Sequence, residues 1–268
     1  QRSPRILKGY DPEIADAVFE VLTAQGITFV TGARFVRVEG NAAGKRVTVE
    51  VDGQTRVVEG EELLIAVGRQ PNTAALQLGR AGVQLGDRGE IRIDAFGRTT
   101  NPQIYAAGDV TLGPQFVYVA AYEGALAAAN AVTGAQHQID LRVVPAVTFT
   151  NPAIATVGLT EAQARAAGYA VKTAVLPARY VPRALVNREP HGVFKIVADA
   201  TTDRILGVHV VAENAGDVIY AGVLAVKFGL TVQDLVEPLA PYLTMAEGLK
   251  LAAQAFGKDI SKLSCCAS

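Results

Sequence analysis

The sequence predicts a mixed fold, α/β in its first part and α+β in its second. Three observations carry that expectation. The continuous apolar run Leu63-Leu64-Ile65-Ala66-Val67 has the character of a strand buried on both faces, as parallel sheets covered by helices require. Val47, Val49 and Val51 alternate, Asp52-Gly53 gives a tight turn and Val57-Val58 returns, which makes a small antiparallel meander. From Val144 onward, short strand patterns interleave with capped helices, the layering of an α+β unit.

The elements follow in order. Asp11-Pro12-Glu13 opens a helix, with a capping carboxylate and proline at the first helical position. Ile14, Val18, Phe19 and Leu22 share one face, and Gly26 ends the helix. A short strand is expected at 27–30. After the buried run comes the glycine-punctuated loop Gly68-Arg69-Gln70-Pro71-Asn72-Thr73. Ile91 and Ile93 alternate, Thr99-Thr100-Asn101-Pro102 forms a turn, 104–107 reads as a short strand and Gly108-Asp109 closes it. A carboxylate at the carboxyl end of a strand is where open α/β sheets bind ligands, although by spacing alone Asp109 reads equally as a turn or cap residue. An alanine-rich helix is expected at 120–131. Beyond the boundary at Val144-Pro145-Ala146, strands are expected at 147–149, 155–157, 171–176, 193–197 and 205–211. A capping box at Thr160-Glu161-Ala162-Gln163 starts a helix that stops at Gly168. A long helix Ala215–Phe228 and a short one opened by Thr231 complete the unit. Thr244 and Glu247 also have capping-box spacing.

Composition bounds the function. The 268 residues predict roughly two domains, and half of them are apolar. Lys and Arg total 25 against 26 Asp and Glu, a net charge of −1, so no basic surface for nucleic acid or an anionic membrane is indicated. No signal peptide and no apolar run of about 18 residues or more is visible. The only methionine is Met245, so Gln1 does not follow an initiator, and the chain reads as part of a longer one. Both cysteines, Cys265 and Cys266, are adjacent near the end. Neighbouring Cα atoms lie about 3.8 Å apart, whereas an unstrained disulfide wants roughly 4.4–6.8 Å. A two-residue loop also removes almost no entropy from the unfolded chain. The pair is suited instead to binding a soft metal ion or to exchange as a strained disulfide. Thiols without partners suit a reducing cytoplasm. His137, His191 and His209 are scattered and suggest no metal site.

Taken together, 66–73 (Ala-Val-Gly-Arg-Gln-Pro-Asn-Thr) and 100–109 (Thr-Asn-Pro-Gln-Ile-Tyr-Ala-Ala-Gly-Asp) resemble the pyridine nucleotide–disulfide oxidoreductase family, and the resemblance runs the length of the chain. It implies the remainder of an NAD(P)H-binding, Rossmann-like domain at 1–66. The C-terminal part of an FAD-binding domain would follow at 67–143, and an α+β dimerisation domain at 144–268. It assigns Asp109 to the ribityl chain of FAD, with Gly108, Gly68 and Arg69 beside it. Gln115, Phe116 and Val117 would pass the flavin ring, Val117 by its backbone, and Gly124 would permit close packing there. Arg2 falls where the 2′-phosphate of NADPH is recognised.

Glutathione-reducing members carry a histidine and a glutamate as a proton-transfer dyad. This chain keeps Glu247 but has Tyr242 in place of the histidine. A phenol with a pKa near 10 is a poor base at pH 7. Tyr242 together with the Cys265-Cys266 end resembles a branch that reduces Hg(II) to Hg(0) with NADPH and FAD. In that branch Cys265 and Cys266 are ligands that deliver the ion to the flavin of the partner subunit in a homodimer, and Tyr242 helps hold it. The chain lacks a Gly-x-Gly-x-x-Gly turn and a flavin-facing cysteine pair. By itself it is expected neither to hold FAD tightly nor to reduce mercury. Two alternatives are a thioredoxin reductase-like disulfide reductase with a C-terminal Cys-Cys pair and a non-catalytic dimer that sequesters metal.

Overall fold

The computed structural model describes residues 1–42 and 44–259. They form two compact units, Gln1–Leu64 together with the chain from Pro145 onward, and Ile65–Val144. The mixed helix-and-sheet fold agrees with the sequence expectation. Among the described residues no helix is long and apolar enough to cross a membrane.

Helix α1 (Pro12–Ala24) buries Ile14, Ala15 and Val18. Ile14 and Val18 pack with Ile154, Val193 and Val211 of the sheet described below. Gly26, at φ +94°, follows its last turn. Asp11 does not cap its own helix. Its carboxylate accepts instead from the backbone N–H of Glu161, at 3.1 and 3.2 Å.

The meander comprises β1 (Arg34–Asn41), β2 (Gly44–Val51) and β3 (Gln54–Gly60), paired antiparallel in that order. Asp52 and Gly53 both have positive φ, which a tight two-residue hairpin demands. The strand expected at 27–30 does not form. The partner of β2 is β1, whose pattern is broken by a register shift between Phe35 and Arg37. Such an irregularity inserts a residue into the period-2 alternation and hides the strand from periodicity. The run 63–67 is also not a strand, and Leu64 is 90% exposed. Burial on both faces needs a paired strand on either side, and none of the described residues supplies one.

The unit Ile65–Val144 is built from loops and short 3-10 turns, the last at Gly108–Thr111, followed by helix α2 (Val117–Thr133). The strand expected at 104–107 reduces to one isolated bridge, Arg98↔Tyr105. α2 begins three residues before the expected helix. Its buried face is Val119, Glu123, Ala127 and Asn130.

The second half holds β4 (Ala146–Thr148), β5 (Ala153–Gly158), α3 (Glu161–Ala166), β6 (Val171–Pro177), α4 (Pro182–Val186), β7 (Val193–Asp199) and β8 (Ile205–Ala212). It ends in α5 (Ala215–Phe228), α6 (Val232–Val236) and α7 (Glu247–Gln254). The sheet order is β4-β5-β8-β7-β6, all antiparallel. α5 lies on β5 and β8, and Gly222 allows the approach, because a Cβ there would sit 3.0 Å from Val208. The capping box expected at Thr160 is complete with Gln163, and the helix opened by Thr231 carries a second one with Asp234. β7 is buried throughout, yet it carries Lys195, which is 0% exposed. Its ammonium meets Glu13 at 2.9 Å, Glu161 at 3.1 Å and Asp11 at 3.4 Å. Burial alone lowers the pKa of an ammonium. Here the bonds to Glu13 and Glu161 and the charge of Asp11 outweigh it and hold Lys195 above the usual lysine value.

Candidate functional site

The site residues of the Ile65–Val144 unit are placed by polar clasps. The loop that opens at Gly68 (φ +124°) is tied down at its far end, where the Thr73 hydroxyl donates to Gly89 O at 2.7 Å. In the 100–109 motif, Asn101 Nδ2 donates to Ala81 O at 2.7 Å. The Thr100 hydroxyl donates to Gly82 O at 2.8 Å and accepts from Gln84 N at 2.8 Å. The polar start of this motif therefore holds the neighbouring turn, and its end leads into Gly108 and Asp109.

That end is the Gly108–Thr111 turn. The Thr111 hydroxyl donates to Gly108 O at 2.8 Å, and Ile91 N donates to Val110 O at 2.9 Å. Gly108 has φ +77°, and a Cβ there would meet Ala120 of α2 at 2.9 Å. Only glycine meets both conditions without strain. The close approach to α2 is thus made at Gly108. Gly124, expected to permit close packing near the flavin, would have no protein atom of the described residues within 4 Å of a Cβ. The Asp109 carboxylate is left half-exposed, with Arg69 Nη1 3.4 Å away. The same Arg69 nitrogen donates to Gln115 O at 3.3 Å. Arg69, Asp109 and Gln115 line a cavity of about 540 Å³ with Gln70, Pro71, Asn72 and Val110.

Phe116 occupies the N-cap of α2, has no side-chain oxygen to offer the helix, and stacks on Tyr118 with ring centroids 5.2 Å apart. The first amides of α2 consequently have no side-chain cap, and the positive end of the helix is presented at Val117. Val117 itself is exposed. The structure thus brings Gly68, Arg69, Gly108, Asp109, Gln115, Phe116 and Val117 into one unit.

Sequence reading missed Glu123. It is 2% exposed, and its Oε2 accepts from the Gly108 amide at 2.6 Å. About two turns further on, Asn130 Nδ2 donates to Phe96 O and His137 O, and its Oδ1 accepts from His137 N. Two polar residues on the buried stripe of an alanine-rich helix were the available signal, because such groups are buried only when bonded.

In the other unit, Glu247 is buried at the start of α7, and its Oε2 accepts from Leu243 N at 2.8 Å and Thr244 N at 3.3 Å. The reciprocal half of the expected capping box is absent, since the Thr244 hydroxyl donates to Pro241 O. Leu243 sits at φ +62°, a conformation a non-glycine residue keeps only when held. Glu247 holds it. The turn presents Tyr242, which is 64% exposed. Gly248 lets α7 press on β7, for a Cβ there would lie 2.4 Å from the Phe194 ring. Arg2 is exposed on a segment whose backbone is paired by Ala33 N donating to Gln1 O and Gly32 N to Ser3 O. Cys265 and Cys266 lie outside the described residues. Among the described residues no cluster of His, Cys, Asp and Glu could hold a metal ion.

A three-stranded meander, a helix-covered antiparallel sheet and a glycine-aspartate turn packed on an uncapped helix fit a nucleotide-binding oxidoreductase. Residues 1–124 match the pyridine nucleotide-disulphide oxidoreductase family and residues 144–253 its dimerisation domain, and the chain belongs to that family of FAD- and NAD(P)H-dependent enzymes. It is 65% identical over 267 residues to a mercuric reductase of Bacillus cereus, covering 100% of this chain and 42% of that protein. A mercuric reductase of Staphylococcus aureus is 59% identical, with 100% and 49% covered. The chain thus spans about half the length of the curated relatives it matches. Among solved structures, the HOCl-induced flavoprotein disulfide reductase RclA from Escherichia coli superposes with a TM-score of 0.85 at 29% identity, covering 95% of this chain and 58% of that one. LpdA from Mycobacterium tuberculosis gives 0.81 at 35% identity, covering 92% and 53%.

Proposed function

We propose that this chain serves a mercury(II) reductase, in which NADPH and Hg(II) become NADP⁺, H⁺ and Hg(0). The observation that carries the reading is the high identity, across the whole chain, to proteins named mercuric reductase. Tyr242 and the Cys265-Cys266 pair are in accord with it.

The residues of the Ile65–Val144 unit fit a flavin nucleotide. The half-exposed Asp109 carboxylate is an acceptor for ribityl hydroxyls. The uncapped amides at Val117 suit an electron-rich ring edge. Arg69, now shared between Asp109 and Gln115, is a cation within reach of a phosphate. Bound FAD, reduced by NADPH, supplies the two electrons that Hg(II) takes up. Arg2 is assigned to the 2′-phosphate of NADPH. Cys265 and Cys266 bind Hg(II) as thiolates, because soft ligands select a soft ion, and exchange it one sulfur at a time. Tyr242 offers a phenol oxygen to the ion on its way, and Glu247 keeps the turn that presents it.

We also assign a homodimer. Tyr220, Leu224 and Phe228 form an exposed apolar stripe on α5, whose opposite face, Val218, Ile219, Gly222 and Ala225, is already buried. An apolar stripe left exposed opposite a buried face favours a second partner, and residues 144–253 match a dimerisation domain. The test is NADPH-dependent release of Hg(0) by the native polypeptide that carries this chain. NADPH oxidation with an oxidised dithiol protein but not with Hg(II) would replace this reading with that of a disulfide reductase.

A further inference from the structure

We propose that Glu123 is a positioning residue for the flavin, acting through Gly108 on Asp109; this rests on the reading of Asp109 as a flavin ligand. The Gly108 amide enters the turn from extended backbone at Ala107 (φ −148°, ψ 157°), where a sheet partner would normally accept it. The acceptor here is a buried carboxylate at 2.6 Å, carried by the helix whose N-terminus ends the same site. One bond therefore fixes the distance between α2 and the turn that bears Asp109. The choice of glutamate has a physical reason. A charged acceptor makes a shorter and stronger bond than a neutral one, and a carboxylate this deep must keep its partner or unfold the region around it. Space reinforces the constraint. A Cβ at Gly113 would lie 3.3 Å from Glu123 Oε1, and one at Gly108 would strike Ala120, so one flank of the turn closes on the carboxylate and the other on the helix that carries it. Asp109 is thereby aimed by a residue that does not line the cavity.

The experiment compares Glu123→Ala, Glu123→Gln, Glu123→Asp and Asp109→Ala. FAD affinity is read by flavin fluorescence in the native polypeptide that carries this chain. Amide exchange at Gly108 is read by NMR in the 268-residue chain, with Val210 as reference. Glu123→Ala is expected to weaken FAD binding by about tenfold or more and to speed exchange at Gly108 while Val210 is unchanged. Glu123→Gln keeps an acceptor oxygen at the same reach and stays within about threefold of the parent. Glu123→Asp, one methylene short, repeats the alanine result. If Glu123→Ala does not fold, the Gln and Asp variants decide. Parent-like affinity in Glu123→Asp, or equal acceleration at Gly108 and Val210, overturns the inference. Unchanged affinity in Asp109→Ala overturns the flavin reading itself, whatever the Glu123 variants do.

Discussion

The Nζ of Lys195 lies 3.4 Å from Oδ2 of Asp11, both side chains being almost fully removed from solvent. Asp11 stands at the start of α1 and Lys195 in the middle of β7, and the same Asp11 carboxylate receives the backbone N–H at the start of α3. A residue that the sequence offers as a cap for its own helix thus caps another, 150 positions away. The reason is electrostatic. A buried ammonium requires carboxylates around it, and Asp11, Glu13 and Glu161 are the ones the fold assembles.

Lys195→Met is expected to destabilise this chain by about 3–5 kcal/mol, since it leaves buried Asp11 without its counter-charge. Adding Asp11→Asn should recover part of that loss, because an amide oxygen can still accept from Glu161 N. Urea unfolding measures both. Equal stability of parent and single variant would show that the cluster is solvated in solution.

His209 gives a pH prediction. Its Nε2–H donates to Leu159 O at 3.0 Å, Asp11 Oδ2 lies 4.0 Å away, and Nδ1 is buried without a hydrogen-bond partner among the described residues. Burial keeps the ring below the usual histidine pKa, against the pull of the Leu159 carbonyl and Asp11. The unfolded chain takes up a proton near pH 6.5 while the folded one resists it. Stability is therefore complete above that pH and falls as pH drops through and below it. Glu161, held low by Arg165 and Lys195, adds a loss only in the carboxylate range. His209→Gln should flatten thermal stability between pH 7 and 5, and an unchanged slope would assign the dependence elsewhere.

Gly108→Ala places a Cβ at positive φ and against Ala120. A loss of roughly 1–3 kcal/mol is expected from the backbone conformation and the contact together, with weaker FAD binding in the native polypeptide. Gly124→Ala, in open space inside a helix, should be neutral or slightly stabilising. Calorimetry on the pair checks the contrast.

Replacing both Cys265 and Cys266 by alanine should slow Hg(II) reduction by the native polypeptide by about tenfold or more when the ion arrives bound to competing small thiols, since two thiolates must take it over by exchange. Turnover assays with and without a thiol buffer test this. Equal rates in both would remove the pair from the mechanism.

Local rules decided a good part of this protein. The strands β5 to β8, the capping box at Thr160, the helix start at Thr231 and the span of α5 follow from propensity and side-chain bonds a few residues apart, and they form as read. The glycine-aspartate pair at 108–109 and the loop after Gly68 were likewise legible, because positive φ and turn chemistry are written in residue type. Other features depended on partners distant in the chain. The run 63–67 looked buried but has no paired strand among the described residues, and β1 was hidden by a shifted register. Asp11 serving α3, Lys195 among three carboxylates and Glu123 reaching Gly108 could be decided only by tertiary structure. A buried charge is stabilised by whichever opposite group the fold brings within about 3 Å, and sequence spacing carries no record of that distance.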